Sequence, residues 1–482
     1  MASLSERSLK RREERRHMMG NMRIPKLIPL MAVPTIISML VSSAYNLADT
    51  FFVSSLGTAA TAAVGVNAAL AEVIMMAGSF LAVGANSYIA RLMGAKKDKQ
   101  ASQVLSTSFF SAIFTGGFVM VFGLLFMEPL CYLLGATDEI LHYTIDYASY
   151  VLYAAPFMAS SFVLNQCLRS EGSATYSMIG MMIGAVLNIG LDPIFIFTLD
   201  LGVLGASLAT AISKLVSFLV LLFPYITRRS LLHLSFKNIH YNRDIVLEIT
   251  RMGSPSLLRS GLNTIAITIT NNIAGAFSAS ALAAISVVNR VMRFLVAAIL
   301  GFGQGFQPVA GFNWGARRYD RVREAYRFSS IVGVGVISAF AVLLFVFSKP
   351  VILIFTEADL EMLRIGSFCL RLQCLVMPIH AWGIVVNMLY AGTGHALGAA
   401  ILSLSRQGIC FIPMLLILPK LFGVMGLAAA QGTADGLTIF MILPLAIRMQ
   451  RELNKRIANP QLYQEPVQTM SDEDMEPDLS GE

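Results

Sequence analysis

Long uninterrupted apolar segments are the feature that most constrains the fold of this chain. They recur along nearly all of its 482 residues, of which 56% are hydrophobic and only 13% charged. A soluble protein carries charge on roughly 25% of its residues, whereas a helix crosses a bilayer with about 20 apolar ones. Because the apolar runs are continuous and not alternating, they predict helices and exclude a β-barrel. The chain is expected to be an all-α polytopic membrane protein.

Twelve segments have the length and hydropathy of a membrane span. We predict them at residues 27–53, 62–90, 104–126, 144–167, 174–198, 203–227, 247–276, 281–311, 328–348, 366–391, 397–418 and 424–447. Of the Lys and Arg residues, 27 lie on the side shared with the N-terminus and 3 on the opposite side. This asymmetry predicts that both termini are cytoplasmic. Loop charges of this kind account for the net charge of +7 without nucleic acid as a partner.

The spans and the charged segments divide the chain into five parts, with no cleaved signal peptide at its start. We predict a cytoplasmic basic tail at residues 1–26, an N-lobe at 27–227, a cytoplasmic linker at 228–245, a C-lobe at 246–448 and a cytoplasmic acidic tail at 449–482.

The two lobes are predicted to be an internal duplication. The motif GAKK at residues 94–97 recurs as GARR at 315–318, and GVLG at 202–205 recurs as GVMG at 423–426, so both motifs return at the same offset along the chain. Six spans per repeat give both repeats the same orientation in the membrane. Parallel repeats are typical of transporters with a site between the halves, although the duplication could also serve only to build a large helical bundle.

Few acidic residues lie inside the predicted spans, and each is costly unless it has a partner, a hydrated cavity or a function. Asp49 lies three residues after Asn46, and Asp192 lies four after Asn188, so each pair shares one helix face. A carboxylate beside an amide oxygen suits a proton or Na+. The alternative is that Asp192, which precedes Pro193, only marks a helix kink. For Glu72 and Asp435 we predict no such amide partner.

Asn263 and Asn271 lie eight residues apart in the seventh span and, with Asn46, are candidates to line a substrate cavity. Hydrogen bonding within the helix core is the alternative. The sequence contains no nucleotide-binding, HExxH or GxSxG motif, and its five Cys lack metal-ligand spacing. We therefore expect no enzyme activity, no cofactor and no metal beyond a coupling Na+. Any active transport would draw on an ion gradient.

Several motifs together resemble the multidrug and toxic compound extrusion (MATE) family, in particular its bacterial branch that includes DinF and MepA. The resemblance spans residues 22–448 and rests on NLAD at 46–49, RLMGA at 91–95, NIGLDPIFIF at 188–197, GQGFQP at 303–308 and GFNWGA at 311–316.

The resemblance implies a V-shaped fold of two six-helix lobes that alternate between inward- and outward-facing states. It implies cation-coupled antiport, driven by H+ or Na+, that exports small organic cations and drugs. We expect a protein of the bacterial inner membrane that works as a monomer in the lipid bilayer. The first-lobe cation site that it implies consists of Asp49, Asn165, Asn188, Asp192 and Thr210, of which Asn165 and Thr210 rest on the resemblance alone.

The nearest alternative is a flippase or exporter of a lipid-linked or endogenous metabolite. Such a protein would need several Arg side chains in its cavity, for which Arg259, Arg290 and Arg293 are candidates. An intramembrane enzyme would need a nucleophile or metal constellation, which the sequence does not display. A channel would conduct without competition between substrate and cation.

Overall fold

The computed structural model describes residues 4–355, 359–459 and 461, so most of the predicted acidic tail lies outside the described residues. The regular secondary structure of the described chain is entirely helical and includes π-helical turns at residues 194–198 and 405–411 and a 3-10 turn at 236–238. Its helices are α1 (Leu4–Asn21), α2 (Ile24–Ser54), α3 (Thr58–Gly94), α4 (Asp98–Leu125), α5 (Met127–Leu133), α6 (Leu141–Ser170), α7 (Ala174–Pro193), α8 (Gly202–Ile226), α9 (Arg243–Phe277), α10 (Ala279–Gly315), α11 (Tyr319–Val346), α12 (Ser348–Leu353), α13 (Leu360–Thr393), α14 (Ala396–Leu404), α15 (Ile412–Leu437) and α16 (Ile439–Ala458).

The predicted all-α membrane fold is confirmed. In the described part of the chain, ten segments are long and apolar enough to cross a membrane. The last of them, residues 396–458, contains two predicted spans, because Gly423 has φ 57° and ψ −139° and breaks the helix there. Helix α9, which contains the seventh predicted span, is more polar and is not among these ten; it brings the number of predicted spans found as helices to twelve.

Several helices continue past the predicted edges of their apolar cores. Helix α16 extends to Ala458, although we expected a tail from residue 449. The side chains of Glu452 and Arg456, one helical turn apart, form an ion pair with an N–O distance of 2.9 Å that supports this extension. Likewise, residues 4–21 of the predicted basic tail form α1. Hydropathy locates the apolar core of a helix but not its polar ends.

The end of the bundle where the Lys- and Arg-rich connections lie is called the basic side here. Helix α1 lies across this side and contacts both lobes. Arg16 Nη2 lies 2.6 Å from both carboxylate oxygens of Asp98 at the start of α4. On the other lobe, Arg318 Nη1 donates to the carbonyl oxygen of Gly20 at 2.6 Å. Helix α1 therefore bridges the two halves on the basic side.

A second contact of α1 involves Glu171, which lies between α6 and α7. Its Oε2 accepts hydrogen bonds from Ser230 Oγ at 2.6 Å and from the backbone N of Leu231 at 2.9 Å, and Arg15 lies 3.9 Å away. Burial raises the pKa of the Glu171 carboxyl, and the hydrogen bond from Ser230 and the charge of Arg15 oppose that effect.

The two lobes meet through glycines on the basic side. A Cβ atom added to Gly94 would overlap the carbonyl oxygen of Phe312, and one added to Gly315 would overlap that of Arg91. These glycines are the two that the repeat pairs. Arg91 also forms an ion pair with Glu248 of the other lobe. The contact is symmetric, and its closeness depends on the absence of side chains at the two glycines.

Toward the opposite ends of α2 and α9, by contrast, many apolar side chains are exposed, for example Leu47, Phe51, Ile265 and Phe277. The close glycine contacts between the lobes lie on the basic side, and these exposed side chains are not covered by the opposite lobe.

We predict that Gly94→Ala opens the contact on the basic side, because the new methyl group cannot coexist with the packed backbone of α10. Spin labels at Lys99 and Glu324, both exposed at the basic ends of α4 and α11, would report a longer distance by electron paramagnetic resonance. The control is Gly117→Ala in α4, where an added Cβ meets no atom within 4 Å. Equal distance distributions in the two variants would contradict the prediction.

Candidate functional site

The first lobe places polar side chains from four helices around Asp192, near the end of α7. Asp192 is 0% exposed. Its Oδ1 accepts a hydrogen bond from Asn188 Nδ2 at 3.2 Å, and the same nitrogen lies 3.3 Å from Thr210 Oγ1 on α8. Pro193 and a π-helical turn at residues 194–198 follow directly. Such turns interrupt regular helix bonding and are frequent at functional sites.

Three buried oxygen atoms of this cluster have no hydrogen-bond partner in the described chain: Asp49 Oδ1, Asn188 Oδ1 and Asp192 Oδ2. The carboxyl groups of Asp49 and Asp192 are close enough to interact electrostatically. Buried acceptors without donors are costly, and two neighbouring carboxylates add repulsion to that cost. A proton or Na+ would relieve both. The cluster therefore has the chemistry of a cation site.

Tyr45, Tyr147 and Lys214 complete the surroundings of this cluster, and sequence reasoning did not select them. Lys214 Nζ donates to Tyr45 Oη at 2.9 Å and interacts electrostatically with Asp49. Tyr147 Oη is hydrogen-bonded to Thr210. Lys214 lies four residues after Thr210 on one face of α8, a spacing that could have identified it. Tyr147 lies on a different helix, α6, so no residue spacing along the chain could have identified it.

Asn165 is buried but engaged elsewhere. Its Nδ2 donates to the carbonyl oxygen of Ser177 at 3.2 Å, and its Oδ1 accepts from Arg169. Arg169 is 1% exposed and also donates to Ser177 Oγ at 3.0 Å and to Gln304 of α10. Thus Asp49, Asn188, Asp192 and Thr210 form one cluster. Asn165 instead belongs to a buried arginine network that links the lobes.

The three residues predicted to line a substrate cavity do not lie together in the structure. Asn46 is exposed on α2 and donates to the carbonyl oxygen of Ser42 at 2.8 Å. Asn271 is exposed on α9 and does not line the cavity described next, whereas Asn263 lines it. Arg290 and Arg293 are exposed on α10 and likewise lie outside that cavity.

The second lobe contains a cavity of about 310 Å³ between α9, α10, α13 and the segment that joins α14 to α15. Its polar lining includes Arg259, Asn263, His380 and Arg406. Arg406 is paired with Asp435, with Nε 2.9 Å from Oδ1 and Nη2 3.4 Å from Oδ2. The prediction that Asp435 has no amide partner at helical spacing is wrong, because Gln431, four residues earlier on α15, donates from Nε2 to Asp435 Oδ1 at 2.9 Å. Arg406 and Asp435 lie far apart along the chain, so no local spacing predicts that ion pair.

Comparison with known proteins places these features in context. The model of a family described as MatE matches residues 34–194 and again residues 255–417. The starts of the two matches are separated by the same offset as the GAKK and GARR motifs. The matches cover more than half of the chain and confirm the predicted repeat.

Individual proteins agree with this match. The multidrug export protein MepA of Staphylococcus saprophyticus is 29% identical over 397 residues, which are 82% of this chain and 87% of that protein. A crystal structure of a MATE protein in complex with MaL6 has a TM-score of 0.86 and 26% identity, covering 91% of this chain and 99% of that chain. An outward-facing MATE transporter of the MOP superfamily has a TM-score of 0.85 and 26% identity, covering 91% and 98%.

Proposed function

The chain belongs to the MatE family of multidrug efflux transporters, and on that premise we propose that it is an antiporter that exchanges H+ or Na+ for small organic cations. The relatives that carry the name multidrug export protein MepA support export as the direction of transport. The observation that carries the proposal is the set of three unpartnered buried oxygens on Asp49, Asn188 and Asp192.

The coupling ion and the organic cation share the carboxylates of this cluster. When H+ or Na+ occupies them, the negative charge that attracts an organic cation is neutralised, so the affinity for substrate falls. When substrate arrives, it displaces the ion for the same reason. Exchange requires only that the two ligands favour different arrangements of the lobes, because a ligand that binds both arrangements equally shifts neither.

We assign the basic side to the cytoplasm, because an excess of Lys and Arg marks cytoplasmic connections. We propose that the described arrangement, whose close contacts between the lobes lie on the basic side, is open to the outside. It corresponds to the state that releases substrate and accepts the ion. The protein acts as a monomer in the bacterial inner membrane, with both termini inside.

The proposal is tested by ethidium efflux from proteoliposomes that contain the purified protein. One set of vesicles receives an imposed pH gradient and another an imposed Na+ gradient. Efflux that follows one gradient and stops when the gradient is collapsed identifies the ion. Correctly inserted protein that moves ethidium under neither gradient would contradict cation-coupled export of organic cations.

A further inference from the structure

The acidic and basic side chains within the membrane occupy opposite spans in the two repeats. Lys214 on α8 and Asp435 on α15 occupy corresponding positions of the two repeats, because their separation equals the offset of the repeated motifs. In the first lobe the buried acid, Asp192, comes from the fifth span and the base from the sixth. In the second lobe the fifth span supplies the base, Arg406, and the sixth supplies the acid. The second lobe is therefore not another copy of the cation cluster.

The cavity of the second lobe is basic. Asp435 is 4% exposed, and Arg406 and Gln431 already donate to it, the latter through Nε2 at 2.9 Å. None of the described residues that line the cavity is Asp or Glu. Arg259 lines it and forms no hydrogen bond or ion pair within the described part of the chain, although Glu72 outside the cavity interacts with it electrostatically. One guanidinium group without a direct partner thus faces the cavity.

A second lining group lacks a partner. His380 on α13 is 7% exposed, and its Nδ1 atom has no hydrogen-bond partner among the described residues. Arg406 itself lies in a π-helical turn, residues 405–411, as Asp192 lies beside one in the first lobe. Arg259 is exposed to the cavity in the middle of a predicted span, and a charged side chain at that depth indicates a bound ligand more than a structural need.

The remaining lining decides the ligand class. Leu300, Ile384, Met388 and Ile442 supply apolar walls opposite the polar groups. A volume of about 310 Å³ is at the lower end of the range for small-molecule pockets. A single unpaired Arg balances one negative charge, and its planar guanidinium matches a carboxylate in a two-pronged hydrogen bond.

We propose that the cavity of the second lobe, with Arg259 as its charged anchor, binds the carboxylate of an amphiphilic organic anion. Arg259 neutralises and orients the carboxylate, Arg406 and His380 offer further N–H groups, and the apolar walls hold the hydrocarbon part. This site does not depend on the cation exchange proposed above, because it shares no residue with the Asp49 and Asp192 cluster.

The test is equilibrium binding of radiolabelled 1-naphthoate to the full-length purified protein in lipid nanodiscs. Saturable binding is expected in the wild type, and 1-naphthamide, which has the same shape without the charge, should compete at least about tenfold more weakly. Arg259→Gln should raise the Kd by about tenfold or more, and Arg259→Lys by less, since it keeps the charge but loses the two-pronged bond. Arg290→Gln, an exposed position outside the cavity, should leave the Kd unchanged.

Binding of tetraphenylphosphonium, a cation expected at the first lobe, is measured on the same preparations and should survive Arg259→Gln, which shows that the variant is folded. Three results would each overturn the proposal: no saturable binding of 1-naphthoate to the wild type, an unchanged Kd in Arg259→Gln, or equal weakening by Arg290→Gln. If the wild type binds 1-naphthoate as expected but shows no ethidium efflux under either gradient, only the proposed cation exchange is refuted.

Discussion

Asp192→Asn is expected to abolish cation-driven efflux while the protein remains folded. Asn has nearly the same shape as Asp, and its side-chain oxygen can still accept the hydrogen bond from Asn188 that Asp192 Oδ1 accepts at 3.2 Å. The substitution removes a negative charge from a position that is 0% exposed, where water cannot replace it. A loss of about 3 kcal/mol in cation binding would lower the affinity roughly a hundredfold.

The measurement is the initial rate of ethidium efflux from proteoliposomes under the gradient that drives the wild type. Asp200→Asn serves as the matched control, because Asp200 is exposed between α7 and α8 and its φ of 51° is one that Asn tolerates. The control should transport at the wild-type rate. Gradient-driven efflux at that rate in Asp192→Asn would show that this carboxylate does not couple transport.

Asp435→Ala is expected to destabilise the protein by about 2–4 kcal/mol, because it strands Arg406 without its partner. The pair has two contacts, at 2.9 Å and 3.4 Å. Asp435 is nearly inaccessible, but the Arg406 side chain is 26% exposed, so cavity water would solvate part of the stranded charge. The effect should therefore be smaller than for a fully buried pair.

Thermal unfolding of the detergent-solubilised variants, followed by intrinsic fluorescence, measures this difference. The double variant Asp435→Ala/Arg406→Met should recover most of the loss, because it removes the unpaired charge as well. Glu72→Ala is the control: Glu72 is an exposed carboxylate within α3 that forms no ion pair with the described residues, and its removal should cost little. Equal destabilisation by Asp435→Ala and by the double variant would contradict a stabilising pair.

Features that repeat along one helix could be predicted from the sequence. The membrane spans follow from apolar runs, and the pair Asn188 and Asp192 follows from a spacing of four residues. The duplication follows from motifs that recur at one constant offset. Each depends only on the periodicity of the chain or on a fixed offset within it, which the sequence displays directly.

Features that depend on how helices meet could not be predicted. Tyr147 approaches Thr210 from another helix, and Arg406 reaches Asp435 from a different span. Asn165 was expected beside the carboxylates, but it contacts Arg169 instead. The burial of Arg169 could not be predicted from hydropathy. The break at Gly423 and the extension of α16 to Ala458 depend on local backbone geometry and on polar helix ends.

The most direct test of the central proposal is competition between the coupling cation and the substrate at equilibrium. The Kd of tetraphenylphosphonium is measured on the purified protein at a series of pH values and, separately, of Na+ concentrations, for the wild type and for Asp192→Asn. A shared site predicts that the wild-type Kd rises in proportion to one of the two cations once that cation exceeds its own Kd, and that this dependence disappears in Asp192→Asn. A wild-type Kd that responds to neither cation would contradict exchange through shared carboxylates.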